Sequence, residues 1–255
     1  MGDGRWEMDS HRIRCMTPVA RSVMQGNSRV FAAVAMAILL SCWTADLGAH
    51  PVTGRDAAFV SGVTGPAIGP FMYLGAKHMV TGYDHLLFLV GVIFFLYRLR
   101  DVVAYVSLFT IGHSVTLLVG VLGGVRANTY LVDAVIALSV VYKGFENIGG
   151  FERVFGLRPN SRIAVLAFGL CHGFGLASKL QDLRLPAKGL MTNLLSFNVG
   201  VEMGQVLALT GVLIALAYWR SREGFLSHAF PTNAALMTGG FILLGNQLVG
   251  YVVNR

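Results

Sequence analysis

The chain has 255 residues, of which 55% are hydrophobic and 13% charged, and its mean hydropathy is +0.63. Soluble domains carry about 25% charged residues, and one soluble core of this size does not hide so many long apolar runs. The formal net charge of +7 sits in the N-terminal leader and in short loops. No basic stripe interleaves with aromatics, so nucleic acid is excluded as a partner. The chain reads as all-α: a polytopic transmembrane helix bundle of about six helices behind an N-terminal signal, with the lipid bilayer as its first partner.

Residues 1–49 form the leader. It opens polar and basic, with Arg5, Arg12, Arg14, Arg21 and Arg29, runs apolar from Val30 to Leu40, and ends in small residues at Gly48 and Ala49. That order describes a secretory signal. Cleavage after Ala49 makes His50 the new N-terminus, where amine and imidazole together offer a metal-capturing pair outside the membrane. Two alternatives stay open: an uncleaved helix, which eleven apolar residues make short, and a lipobox-like cut at Cys42. Cys15 and Cys42 lie in the leader, which leaves Cys171 alone in the mature chain, with no disulfide framework and no CxxC clip.

Residues 50–69 read as a short extracytoplasmic segment and 70–255 as the six-helix domain. The helices are expected at Pro70–Tyr97, Val102–Val125, Thr129–Gly149, Arg162–Leu180, Gly189–Trp219 and Phe230–Val253. Short connections make sequence neighbours the expected antiparallel neighbours in space. An exported N-terminus in a bacterial-type inner membrane puts Arg98/Arg100, Arg153/Arg158 and Arg220/Arg222 on the cytoplasmic side, as the positive-inside rule prefers. Lys179, Arg184 and Lys188 are expected outside. Gly169, Gly173 and Ala177, four apart, suit close helix packing.

Ionisable groups at membrane depth are costly, so they default to functional candidates. The first helix carries His78, Asp84 and His85, with the two histidines seven residues apart and on one face. His113 lies on the second helix, Asp133, Lys143 and Glu146 on the third, and Cys171 and His172 on the fourth. Asn198, Glu202 and Gln205 form one polar stripe on the fifth. His85, His113, His172 and Glu202 all fall near the middle of their spans, with His78 toward the outer side and Glu146 toward the inner. That order reads as entrance, central site and exit.

Imidazole with carboxylate suits nickel, cobalt, zinc or copper(II). It is too histidine-rich for a dedicated magnesium path. The metal ligands expected are therefore His78, Asp84, His85, His113, His172 and Glu202, with Glu146, Asn198 and His50 in supporting places. Each also has a plain structural reading. A lone histidine can bond a neighbouring helix, Asp133 can cap or join an interface, Lys143 and Lys77 can snorkel or pair with acids, and Asn198 and Gln205 can be interhelical glue. Phe109/His113 and Phe168/His172 share a Phe-x-x-x-His spacing, too little by itself to establish a repeat.

Four stretches together resemble the HupE/UreJ family of hydrogenase- and urease-accessory membrane proteins. They are Gly82-Tyr83-Asp84-His85-Leu86-Leu87-Phe88 with His78 before it, FTIGHSVTL from Phe109 to Leu117, Cys171-His172-Gly173-Phe174-Gly175, and Phe197 to Gln205 (FNVGVEMGQ). The resemblance extends over essentially the whole mature chain. It implies a nickel or cobalt permease-like protein, metal recognition by His78, Asp84 and His85, and a link to a metalloenzyme maturation system. Met79 follows His78 where the hydrogenase-linked members carry a proline, which bears on which metal is carried. Other classes remain: an intramembrane enzyme with a catalytic metal, although no HExxH or GxSxG is present; a bis-histidine haem carrier; and an assembly partner for a metalloenzyme.

Overall fold

The computed structural model describes residues 60, 62–182 and 188–254. The leader, its cleavage site and His50 lie outside these residues. The described residues form eight helices: α1 (Ile68–Thr81), α2 (Tyr83–Ile93), α3 (Leu99–Leu122), α4 (Thr129–Asn147), α5 (Gly150–Phe155), α6 (Ser161–Asp182), α7 (Leu190–Arg220) and α8 (Phe225–Val253). The protein is an all-helical membrane bundle. Of its helices, α3, α6, α7 and α8 are long and apolar enough to cross a bilayer unaided. The other two expected spans differ for identifiable reasons. The third, α4, carries Asp133, Lys143 and Glu146, and the first is broken.

The break falls at Gly82, between α1 and α2, where a single 70–97 helix was expected. Its ψ of 95° takes the chain out of the helical region, although its N–H still donates to His78 O at 2.9 Å. A Cβ here would lie 2.9 Å from both His78 O and His85 Nδ1, so glycine is what lets the two helical pieces abut. Breaking the helix exposes a fresh helix N-terminus at membrane depth, and Asp84 occupies its first turn, where the helix dipole favours a carboxylate. At the far end of α2, the Arg220 guanidinium from α7 donates to the carbonyls of Ile93, Phe94 and Leu96 at 2.5, 2.6 and 2.9 Å. Carbonyls that lack intrahelical partners are thereby satisfied. Short α5 was not expected; glycines with positive φ at 149 and 156 bracket it. Helix α8 begins at Phe225 and includes Pro231.

Packing departs from the expectation that sequence neighbours pair. The extensive interfaces are α1 with α7, α3 with α6 and α4 with α8. Small residues make them possible. A Cβ on Gly200 would sit 2.0 Å from Met72 O, and one on Gly204 2.5 Å from Ala76 O, so α1 and α7 run parallel in near backbone contact. Gly169 against Phe109 O and Gly173 against His113 O do the same for α6 and α3, also parallel. Gly144 beside Met237 and Asn233, and Gly240 beside Val141, make α4 and α8 antiparallel. Counting α1–α2 as one span, the pairs are first–fifth, second–fourth and third–sixth. Exchanging the first three spans with the last three maps this pairing onto itself, the pattern of two inverted halves.

Candidate functional site

The break at Gly82 sets the site. His78 ends α1, His85 begins α2, and the parallel α3–α6 pair brings His113 and His172 to the same depth. The four imidazoles form one cluster. Ring centroids are 4.7 Å apart for His85–His172, 4.8 Å for His78–His85, 6.0 Å for His85–His113 and 6.3 Å for His78–His113. All four side chains are buried. Phenyl rings wall the cluster: Phe109 lies 4.9 Å from His172, Phe88 5.5 Å from His172, and Phe197 6.0 Å from His78.

Two hydrogen bonds decide which ring nitrogens are left to act. Asp84 Oδ1 lies 2.8 Å from His85 Nδ1 and also accepts from the His85 backbone N–H at 2.9 Å. Phe168 O lies 2.7 Å from His172 Nδ1. A carboxylate and a carbonyl only accept, so both Nδ1 atoms carry the proton and both Nε2 atoms keep a lone pair. Those two Nε2 atoms, together with both ring nitrogens of His78 and of His113, are buried without a hydrogen-bond partner among the described residues. A buried unsatisfied polar atom costs about 1–3 kcal/mol. No three His, Cys, Asp or Glu side chains among the described residues are set at the geometry of a bound ion. The rings meet edge-to-face and stacked, and ligation requires them to turn.

The other expected residues fall in different places. His78 belongs to the cluster itself and is not a separate outer station. Asn198 is buried on α7 with both amide atoms unpartnered, next in sequence to Phe197. Glu202 is exposed on α7, although its spacing puts it on the same face as buried Asn198 and Gln205. It is not brought to the histidines. Gln205 instead bonds Thr110 Oγ1 on α3 at 2.8 Å. Glu146 lies at the opposite end of α4 from Asp133. It accepts from Lys143 Nζ at 2.8 Å and from Ser161 Oγ on α6. Beside it Asn147 ties Gly91 O to Asn233 Oδ1, both at 2.8 Å.

The residue reading missed a tether and an ion pair. Thr116 Oγ1 reaches Leu170 O at 2.7 Å and binds α3 to α6 beside His113. Lys179, expected at the outer end of the fourth span, is half-buried, and its ammonium lies 3.0 and 2.8 Å from the two oxygens of buried Asp133. Its spacing of seven from His172 was the available signal, since it puts both on one face of α6. A family model described as HupE / UreJ protein matches residues 54–255. No curated protein and no solved structure matches the chain.

Proposed function

The chain belongs to the HupE/UreJ family, and on that premise we propose that it is a permease-like protein carrying a divalent transition metal ion, nickel or cobalt first, across a bacterial-type inner membrane. The observation that carries this reading is the convergence of four buried imidazoles from α1, α2, α3 and α6, with ring nitrogens that no partner among the described residues satisfies. Neutral imidazole is a borderline donor, suited to nickel, cobalt, zinc and copper(II) alike. Asp84 supplies the carboxylate that fixes the His85 tautomer and ring orientation. The inverted pairing of the two three-span halves, with the cluster at a broken helix between them, is the arrangement secondary transporters use for a site at mid-membrane.

In this mechanism an ion sheds part of its water as the imidazoles turn to meet it. The phenyl wall of Phe88, Phe109 and Phe197 excludes competing solvent. Release toward the other side follows the polar positions near Lys143, Glu146 and Asn147. Glu202 takes no part in this route. The test is uptake in reconstituted vesicles across a panel of nickel, cobalt, zinc and copper(II), with the wild type, His85→Ala and His113→Ala. Saturable uptake of nickel or cobalt that both substitutions abolish supports the reading. Tight binding without uptake shifts it to an accessory protein that hands metal to a maturing enzyme, and no binding of any ion removes it.

A further inference from the structure

The Asp133–Lys179 ion pair joins α4 to α6 between one and two helical turns beyond His172. Asp133 Oδ1 sits 3.5 Å from where a Cβ on Gly175 would be, and Gly175 is only three residues beyond His172 on α6. At 1.5 Å per residue the carboxylate is about one helical turn, roughly 5 Å, along the axis from His172. Lys179 is two turns beyond His172 on the same face. The pair occupies the end of the bundle where α1, α4 and α7 begin and α3 and α6 end. Ties between Ala67 and Asn193, Ala127 and Ser178, and Gln181 and Val125 fix that end.

We infer that Asp133 is a cation position on the way to the histidine cluster and that Lys179 is its tethered occupant, an ammonium that an arriving divalent ion must displace. This rests on the cluster being a cation site. Both carboxylate oxygens of Asp133 face the same ammonium, so the acid presents no free charge while the lysine is in place. A divalent ion attracts that carboxylate about twice as strongly as a unit ammonium at equal distance. It can therefore replace Lys179, whereas a monovalent ion has no such advantage. Once displaced, the ammonium stays on α6 and repels a second cation approaching Asp133. An ion pair kept only for packing would gain little here, because desolvation of two buried charges consumes most of their attraction.

The experiment is calorimetric titration of the purified full-length protein in detergent with Ni2+ alone. The proteins are wild type, Lys179→Gln, Asp133→Asn and the double substitution. Removing the tethered cation tightens binding by at least about tenfold, and removing its counter-charge weakens it by at least about tenfold. The double substitution stays within about threefold of wild type, because the local charge is again balanced. Should Asp133→Asn not be recovered monodisperse, Lys179→Gln alone decides, since loss of a merely structural pair does not tighten binding. Equal affinities in all four proteins, or weaker binding by Lys179→Gln, overturn the tethered-cation role and leave the cluster intact. Absence of Ni2+ binding by wild type overturns both.

Discussion

At the scale of single residues, the decisive contact is the 2.8 Å bond between Asp84 and His85. It holds one imidazole nitrogen protonated, leaves the other with no partner among the described residues, and places a negative charge beside any ion the cluster takes. Removing such an orienting partner typically costs 10–100-fold in metal affinity. Asp84→Asn is therefore expected to weaken Ni2+ or Co2+ binding by about 10–100-fold, while the protein still inserts and runs as a single species on size exclusion. His85→Ala removes the imidazole common to three of the four ring contacts within the cluster. Uptake should then drop below about a tenth of wild type. Glu202 faces outward, so Glu202→Gln should leave metal affinity within about twofold, the range of surface substitutions remote from a site. A large loss in that variant would mean that α7 turns its polar face inward during the cycle.

At the scale of the helix, the site exists because two kinds of glycine do opposite things. Gly82 interrupts a helix, and Gly169 and Gly173 let two helices touch. A Cβ on Gly173 would be 2.2 Å from His113 O, a backbone atom that cannot swing aside. Gly173→Val must push α6 from α3 and separate His172 from His113. Overpacking of this kind costs about 1–3 kcal/mol or more. The expected result is a lower melting temperature in detergent together with lost metal binding, measured on the same preparation. Ala177, at the same spacing, packs against Gly120, so the small-residue pattern of α6 is indeed a packing device. It is also what sets the depth of the fourth histidine.

At the scale of the whole molecule, the six spans form three long-range pairs, with polar ties at both ends: Asp133–Lys179 at one, Lys143–Glu146–Ser161 at the other. The first, third and fifth spans then enter from the same side. With an extracytoplasmic N-terminus, single cysteines at Gly65 and Asn128 in a Cys171→Ser background should react with an impermeant maleimide on intact cells. Cysteines at Arg98 and Glu223 should react only after permeabilisation. The reverse labelling would invert the whole bundle and exchange the sides of entry and release.

The spans, their approximate ends and the four histidines were legible in the linear order of residues. Bilayer thickness demands long apolar runs, and charge at membrane depth is rare enough to be noticed wherever it occurs. His85, His113 and His172 at matching depth were readable for the same reason. What hydropathy does not encode is azimuth and partner. Lipid solvates any apolar face equally well, so nothing in the pattern said that Glu202 stays exposed while Asn198 and Gln205, on the same face by spacing, are buried. Nor did it say that α1 packs on α7, or that Lys179 reaches Asp133. Local propensity was equally silent on the break at Gly82, which depends on how closely His78 O and His85 approach once the helices have packed. Composition and periodicity thus determined a membrane bundle with buried imidazoles. Only the backbone contacts that glycine permits decided which four imidazoles meet and which carboxylates stand with them.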